Sequence, residues 1–159
     1  MKSAIWPALA LALAASLPAA CGDAAQTTAA GVENGTELTA TNGRLALPAV
    51  SGNPAAVYFD ITNDTGSEAV ITGVSVQGAR SAMLHHTMTM DGKSEMHELS
   101  QQPIASGETL KFEPGGMHVM AMEVADELRP GGTTQVTLNF EGGQALSFPA
   151  EILAAGDAR

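Results

Sequence analysis

Residues 57–78 read VYFDITNDTGSEAVITGVSVQG, and this stretch decides the fold. Val57, Phe59 and Ile61 alternate with Tyr58, Asp60 and Thr62, which sets three apolar side chains on one face of a strand. Asn63-Asp64-Thr65-Gly66 then ends the run with turn chemistry. Val70, Thr72, Val74 and Val76 resume the period of two, and Gly78 closes the second strand. The same rhythm continues outward, from about Leu45 and through runs at 82–90, 94–99, 109–112, 118–124, 133–140 and 146–152. Between them lie Asp91-Gly92, Ser106-Gly107, Pro114-Gly115-Gly116, Pro130-Gly131-Gly132 and Gly142-Gly143. Eight or nine short strands, with no amphipathic helix and no internal repeat, predict an all-β sandwich. Closure into a barrel is the alternative.

The whole chain has 159 residues, 17 of them acidic and 7 basic, for a formal net charge of −10. That length suits one domain with its own core. The charge argues against a nucleic-acid partner, because phosphate contacts need clustered Lys and Arg. A single Cys forms no internal disulfide and excludes both Cys₄ zinc sites and CxxC redox chemistry. The sequence also lacks HExxH, GxSxG and a nucleophilic Cys in the domain, so an enzyme is not expected. Glu95, Glu98 and Glu113 read as solvated faces that could steer a cationic partner.

Residues 1–20 read as an export signal, with Lys2 in a positive n-region and an apolar run at 4–20. The run is short for a spanning helix and polar sequence follows it. Function outside the cytoplasm, in the periplasm or its equivalent, is therefore expected. Leu17-Pro18-Ala19-Ala20-Cys21 resembles a lipobox, with Pro18 where a large aliphatic residue usually stands. Lipidation of Cys21 would attach the protein to a membrane. Cleavage nearby, for instance after Ala24, would instead release it. Residues 21–43 are rich in Ala, Thr and Gly and read as a flexible linker. The sandwich is expected over 44–153, and 154–159 form a short tail.

Apart from Met1, every Met lies between positions 83 and 122: Met83, Met88, Met90, Met96, Met117, Met120 and Met122. His85, His86, His97 and His118, all of the His residues, fall in the same interval. Any one of these Met side chains could simply fill a core gap. Core filling does not account for the clustering, since the other strands use Val, Ile, Leu and Phe. Thioether sulfur is soft and suits Cu(I) rather than Zn²⁺, Mg²⁺ or Ca²⁺, and imidazole binds copper well. A Met/His set also survives an oxidising compartment in which thiols are lost to disulfides.

A two-residue hairpin at Asp91-Gly92 pairs Met90 with Lys93, Thr87 with Met96 and His86 with His97. His85 then lies diagonal to Met96, about 7–8 Å away. His118 and Met120, two apart on one strand, point the same way. Those two pairs could close around one ion. The opposite face carries a rival cluster of His86, Met88, Met90 and His97, and a one-residue slip would exchange the faces.

The spacing His85-x₁₀-Met96-x₂₁-His118-x-Met120 resembles the H-x₁₀-M-x₂₁-H-x-M signature of the PCu(A)C family of periplasmic copper chaperones. The surrounding Ala55-Ala56-Val57-Tyr58-Phe59, Asn63, Leu84-His85, Asp91-Gly92 and Pro114-Gly115-Gly116-Met117-His118 are similar to that family too, and the resemblance covers roughly 40–150. It implies a cupredoxin-like or immunoglobulin-like Greek-key sandwich that binds one Cu(I) ion per chain, with His85, Met96, His118 and Met120 as ligands. It also implies delivery of copper to the Cu(A) centre of cytochrome c oxidase, alone or with a thiol-containing assembly factor, and a monomeric protein is expected. Copper buffering or resistance at the same site is the first alternative, and an interaction module without metal the second. A blue-copper electron carrier fails on ligands, because the domain has no Cys.

Overall fold

The computed structural model describes residues 37–90 and 92–157. Among them run β1 (Leu38–Ala46), β2 (Ala55–Asn63), β3 (Ala69–Val76), β4 (Ala79–Met90), β5 (Lys93–Leu99), β6 (Gln102–Ile104), β7 (Thr109–Phe112), β8 (Met117–Val124), β9 (Thr133–Phe140) and β10 (Ala145–Leu153). A 3₁₀ turn at Glu141–Gly143 joins the last two strands. The described residues contain no α-helix, so the all-β expectation holds. The expected export signal, Cys21 and the first part of the linker lie outside the described residues.

The strands hydrogen-bond in the order β5-β4-β8-β7-β2-β1-β10-β9-β3-β6, and β2 also pairs directly with β8. All neighbours are antiparallel except β1–β10 and the short β7–β8 contact. The open sheet is consistent with a cupredoxin-like sandwich. Its core draws on strands from both ends of that order. Phe59 of β2 stacks on Phe112 of β7 at 4.2 Å and meets Phe148 of β10 at 5.0 Å. Burying a ring of that kind contributes about 1.5–3 kcal/mol.

Strand β2 follows its sequence period closely. Ala55, Val57, Phe59 and Ile61 are buried, while Ala56, Tyr58, Asp60 and Thr62 are only partly covered on the other face. Asn63 ends the strand fully buried. Its amide donates to the carbonyls of Ser67 and Ile104, both at 2.8 Å, and its Oδ1 accepts from the Thr65 N–H and hydroxyl. Three of the four bonds stay within the turn that the sequence marks and the fourth reaches β6, and together they offset the cost of burying an amide.

Three details differ from the sequence reading. Strand β1 opens at Leu38, within the stretch expected as linker, and Asn42-Gly43 is a bulge inside it. Asn42 adopts φ 57°, and the pairing with β2 shifts register between Thr41 and Arg44. A second shift, between Ile71 and Gly73 in β3, breaks the expected Val70–Thr72–Val74–Val76 face, and Ile71, Val74 and Val76 are the buried residues. Strand β6 is three residues long and contains Pro103, so it leaves no periodic trace.

Candidate metal centre

The β4–β5 hairpin has the expected register: Met90 faces Lys93, Thr87 faces Met96 and His86 faces His97. Strand β8 then joins the other edge of β4, pairing His85 with His118, Met83 with Met120 and His86 with Met117. Leu84 of β4 and Val119 and Ala121 of β8 point into the core and are buried. Alternation therefore sends His85, His118 and Met120 to the outer face of these strands. Met96 lies on that same face, opposite Thr87.

His85 and His118 form the centre of the outer face. Their rings lie 6.0 Å apart between centroids, tilted by 43°. Met96 sits diagonally to one side of this pair and Met120 to the other. The structure thus brings all four sequence-predicted residues onto one face of three adjacent strands. They differ in exposure: His118 is only 5% exposed, whereas Met96 on edge strand β5 is 51% exposed.

His118 is buried although it lies away from the core, because Tyr58 of β2 covers it at 6.5 Å between ring centroids. Its Nδ1 lies 3.0 Å from the Gly116 carbonyl. A carbonyl only accepts, so Nδ1 carries the proton and Nε2 keeps its lone pair free for a ligand. The Gly116 carbonyl also accepts the Thr87 N–H at 3.1 Å, which ties the turn before β8 to β4. Gly115 in that turn has φ 83°, a conformation suited to glycine.

His85 is held differently. Both ring nitrogens are buried and, among the described residues, have no hydrogen-bond partner. Burial pushes its pKa below the ordinary imidazole value, the nearby His118 adds to the drop, and Glu98, its cross-strand neighbour on β5, opposes it. Burial raises the Tyr58 phenol against a smaller lowering by Arg44. The centre therefore offers two imidazoles and two thioethers. Among the described residues no three His, Cys, Asp or Glu side chains converge on one point, which leaves thioether-containing sets as the available metal sites.

The remaining candidates divide between the faces. Met83 shares the outer face, opposite Met120. His86, His97 and Met117 lie on the reverse face, with Met88 and Met90 further along β4. Sequence reasoning did not assign roles to Tyr58 and Gly116, and it read Glu98 only as part of a solvated face. Tyr58 and Glu98 reach the imidazoles through space or across strands, and Gly116 does so from two residues before His118.

A family model described as "Putative lipoprotein LpqE-like" matches residues 38–152, from the first residue of β1 into β10. The chain belongs to the LpqE-like family. Among its relatives is "Putative lipoprotein Lxx21020" of Leifsonia xyli subsp. xyli (strain CTCB07), 34% identical over 98 residues. That match covers 61% of this LpqE-like chain and spans 59% of the relative's length. Among solved structures, the solution structure of CuI-DR1885 from Deinococcus radiodurans is similar with a TM-score of 0.60 and 28% identity, covering 86% of this chain and 89% of that one. The copper-bound PCuAC domain from PmoF2 superposes with a TM-score of 0.61 at 18% identity, over 77% of this chain and 97% of that domain. The PCuAC fold thus extends to this LpqE-like chain.

Proposed function

We propose that this protein is an extracytoplasmic Cu(I) metallochaperone that carries one ion at His85, Met96, His118 and Met120. The observation that carries the reading is the facing His85–His118 pair, in which both His85 nitrogens are buried with no hydrogen-bond partner among the described residues, while Nδ1 of His118 is tied to the backbone. Two imidazoles flanked by thioethers form a neutral, soft donor set of the kind Cu(I) prefers. The similarity to a Deinococcus structure named for bound Cu(I) supports the same cargo.

The unequal burial of the proposed ligands supports delivery over storage. The imidazole pair is sheltered by Tyr58, while Met96 stands half-exposed on an edge strand where an acceptor's ligand can displace it. The acceptor we propose is the Cu(A) domain of cytochrome c oxidase or a thiol-containing assembly factor. Attachment to the outer membrane surface through a lipidated Cys21 agrees with the lipoprotein descriptions of the family and its relative.

Cu(I)-loaded protein mixed anaerobically with an apo Cu(A) domain tests this directly. Transfer of the ion supports the chaperone, and retention of copper in the presence of excess acceptor would identify a buffer instead. A Met96→Ala, His118→Ala double variant that binds Cu(I) as tightly as the parent at this centre would sink the ligand assignment.

A further inference from the structure

The reverse face of the same three strands carries a second set of soft donors. Met117 of β8, His86 of β4 and His97 of β5 are consecutive partners in one cross-strand row, since His86 pairs with both of the others. Facing side chains in such a row stand roughly 4.5–5.5 Å apart at Cβ, close enough for all three to reach one ion above His86. None of the three shares a position with the outer-face centre. Adjacent residues His85 and His86 serve opposite sides of β4.

This face is the one that bears the core further along the strands, but the opposing layer does not cover it at the hairpin end. Met88 and Met90, two and four residues beyond His86, are 39% and 66% exposed, and the His97 side chain is 51% exposed. A solute can therefore reach the row. Met117 is partly buried against the core, which fixes the inner end of the row. Glu95 Oε2 lies 3.6 Å from His97 Nε2 and puts a negative charge beside it, which favours a cation there.

We infer that His86, His97 and Met117 form a second Cu(I) site, back to back with the first and more open to solvent. The donor set selects the metal. With no three nitrogen, thiolate or carboxylate ligands converging, hard and borderline divalent ions lack a full shell. Two imidazoles and a thioether suit three-coordinate Cu(I). The open setting makes this the weaker of the two sites.

The test is anaerobic Cu(I) titration of the full chain against a colorimetric Cu(I) chelator, with circular dichroism to verify folding. The parent chain is expected to bind two ions in two affinity steps. His86→Gln, His97→Gln should remove the weaker step, lowering its affinity by at least about tenfold, and leave the tighter one. Met96→Ala, His118→Ala should do the reverse. Binding of one ion by the parent, or an unchanged weaker step in the His86→Gln, His97→Gln chain, would overturn the inference and leave the outer-face reading intact. Loss of both steps in the Met96→Ala, His118→Ala chain would also overturn it, because the second site would then depend on the first.

Discussion

His85 and His118 face each other across β4 and β8, yet only His118 has a nitrogen held by the backbone. The pair is therefore half-anchored: one ring is fixed in tautomer and orientation, and the other is left with unpaired nitrogens. Such a pair costs stability while it is empty and recovers it on binding.

His85→Leu is expected to raise the stability of the metal-free protein, since it removes two buried nitrogens that lack partners. A gain of about 1–2 kcal/mol is expected from removing that desolvation penalty. The same change should abolish tight Cu(I) binding at the outer face. Denaturant unfolding and chelator competition on one preparation measure both effects.

Met96→Ala separates function from stability in the other direction. Its thioether is half-exposed on an edge strand, so folding stability should change by no more than about 0.5 kcal/mol. Affinity for Cu(I) should fall by at least about tenfold. A melting temperature that dropped together with affinity would mean that Met96 acts through packing.

The depressed pKa of His85 makes the stability of the metal-free protein depend on pH. The unfolded chain takes up a proton near the ordinary value of about 6.5, whereas the folded chain does so only at lower pH. Between those two values the unfolded state binds more protons, so stability falls as pH drops through that window and levels off below it. Unfolding curves collected from pH 8 downward should show this loss, and the His85→Leu variant should lack that component.

Asn63→Ala should be among the more damaging single changes outside the metal centre. The side chain is fully buried and makes four hydrogen bonds that tie the turn after β2 to β6. A loss of about 3 kcal/mol is expected, since two backbone carbonyls and one N–H lose a partner. Chemical denaturation measures it directly, and copper affinity in the folded fraction should be unaffected.

Much of the framework is legible in the sequence because two of its signals admit few solutions. Alternation over Val57–Phe59–Ile61 fixes the faces of β2, and a two-residue Asp-Gly link sets the β4–β5 register that pairs Thr87 with Met96. The bulges are not legible. Asn42-Gly43 has the same turn chemistry whether it ends a strand or kinks one, and the shift at Gly73 depends on how β9 pairs alongside. At the centre, the residues alone leave two faces open, and only the resemblance to the family signature nominates His85, Met96, His118 and Met120. The pairings of β5 and β8 with β4 set those four on one face, and the shelter of Tyr58 arises only from a tertiary contact.

Strand β1 gives the molecule one further property. Among the described residues it alone hydrogen-bonds to both β2 and β10, so within them it is the sole ladder joining the half of the sheet that carries the histidines to the half formed by β10, β9, β3 and β6. Gly43 lets it fit, for a Cβ there would clash with the Pro149 carbonyl. Neither half can peel away without breaking this shared seam, so opening is cooperative and not piecemeal. The amides of residues 44–46, paired on both sides, should exchange with solvent only when the entire domain unfolds.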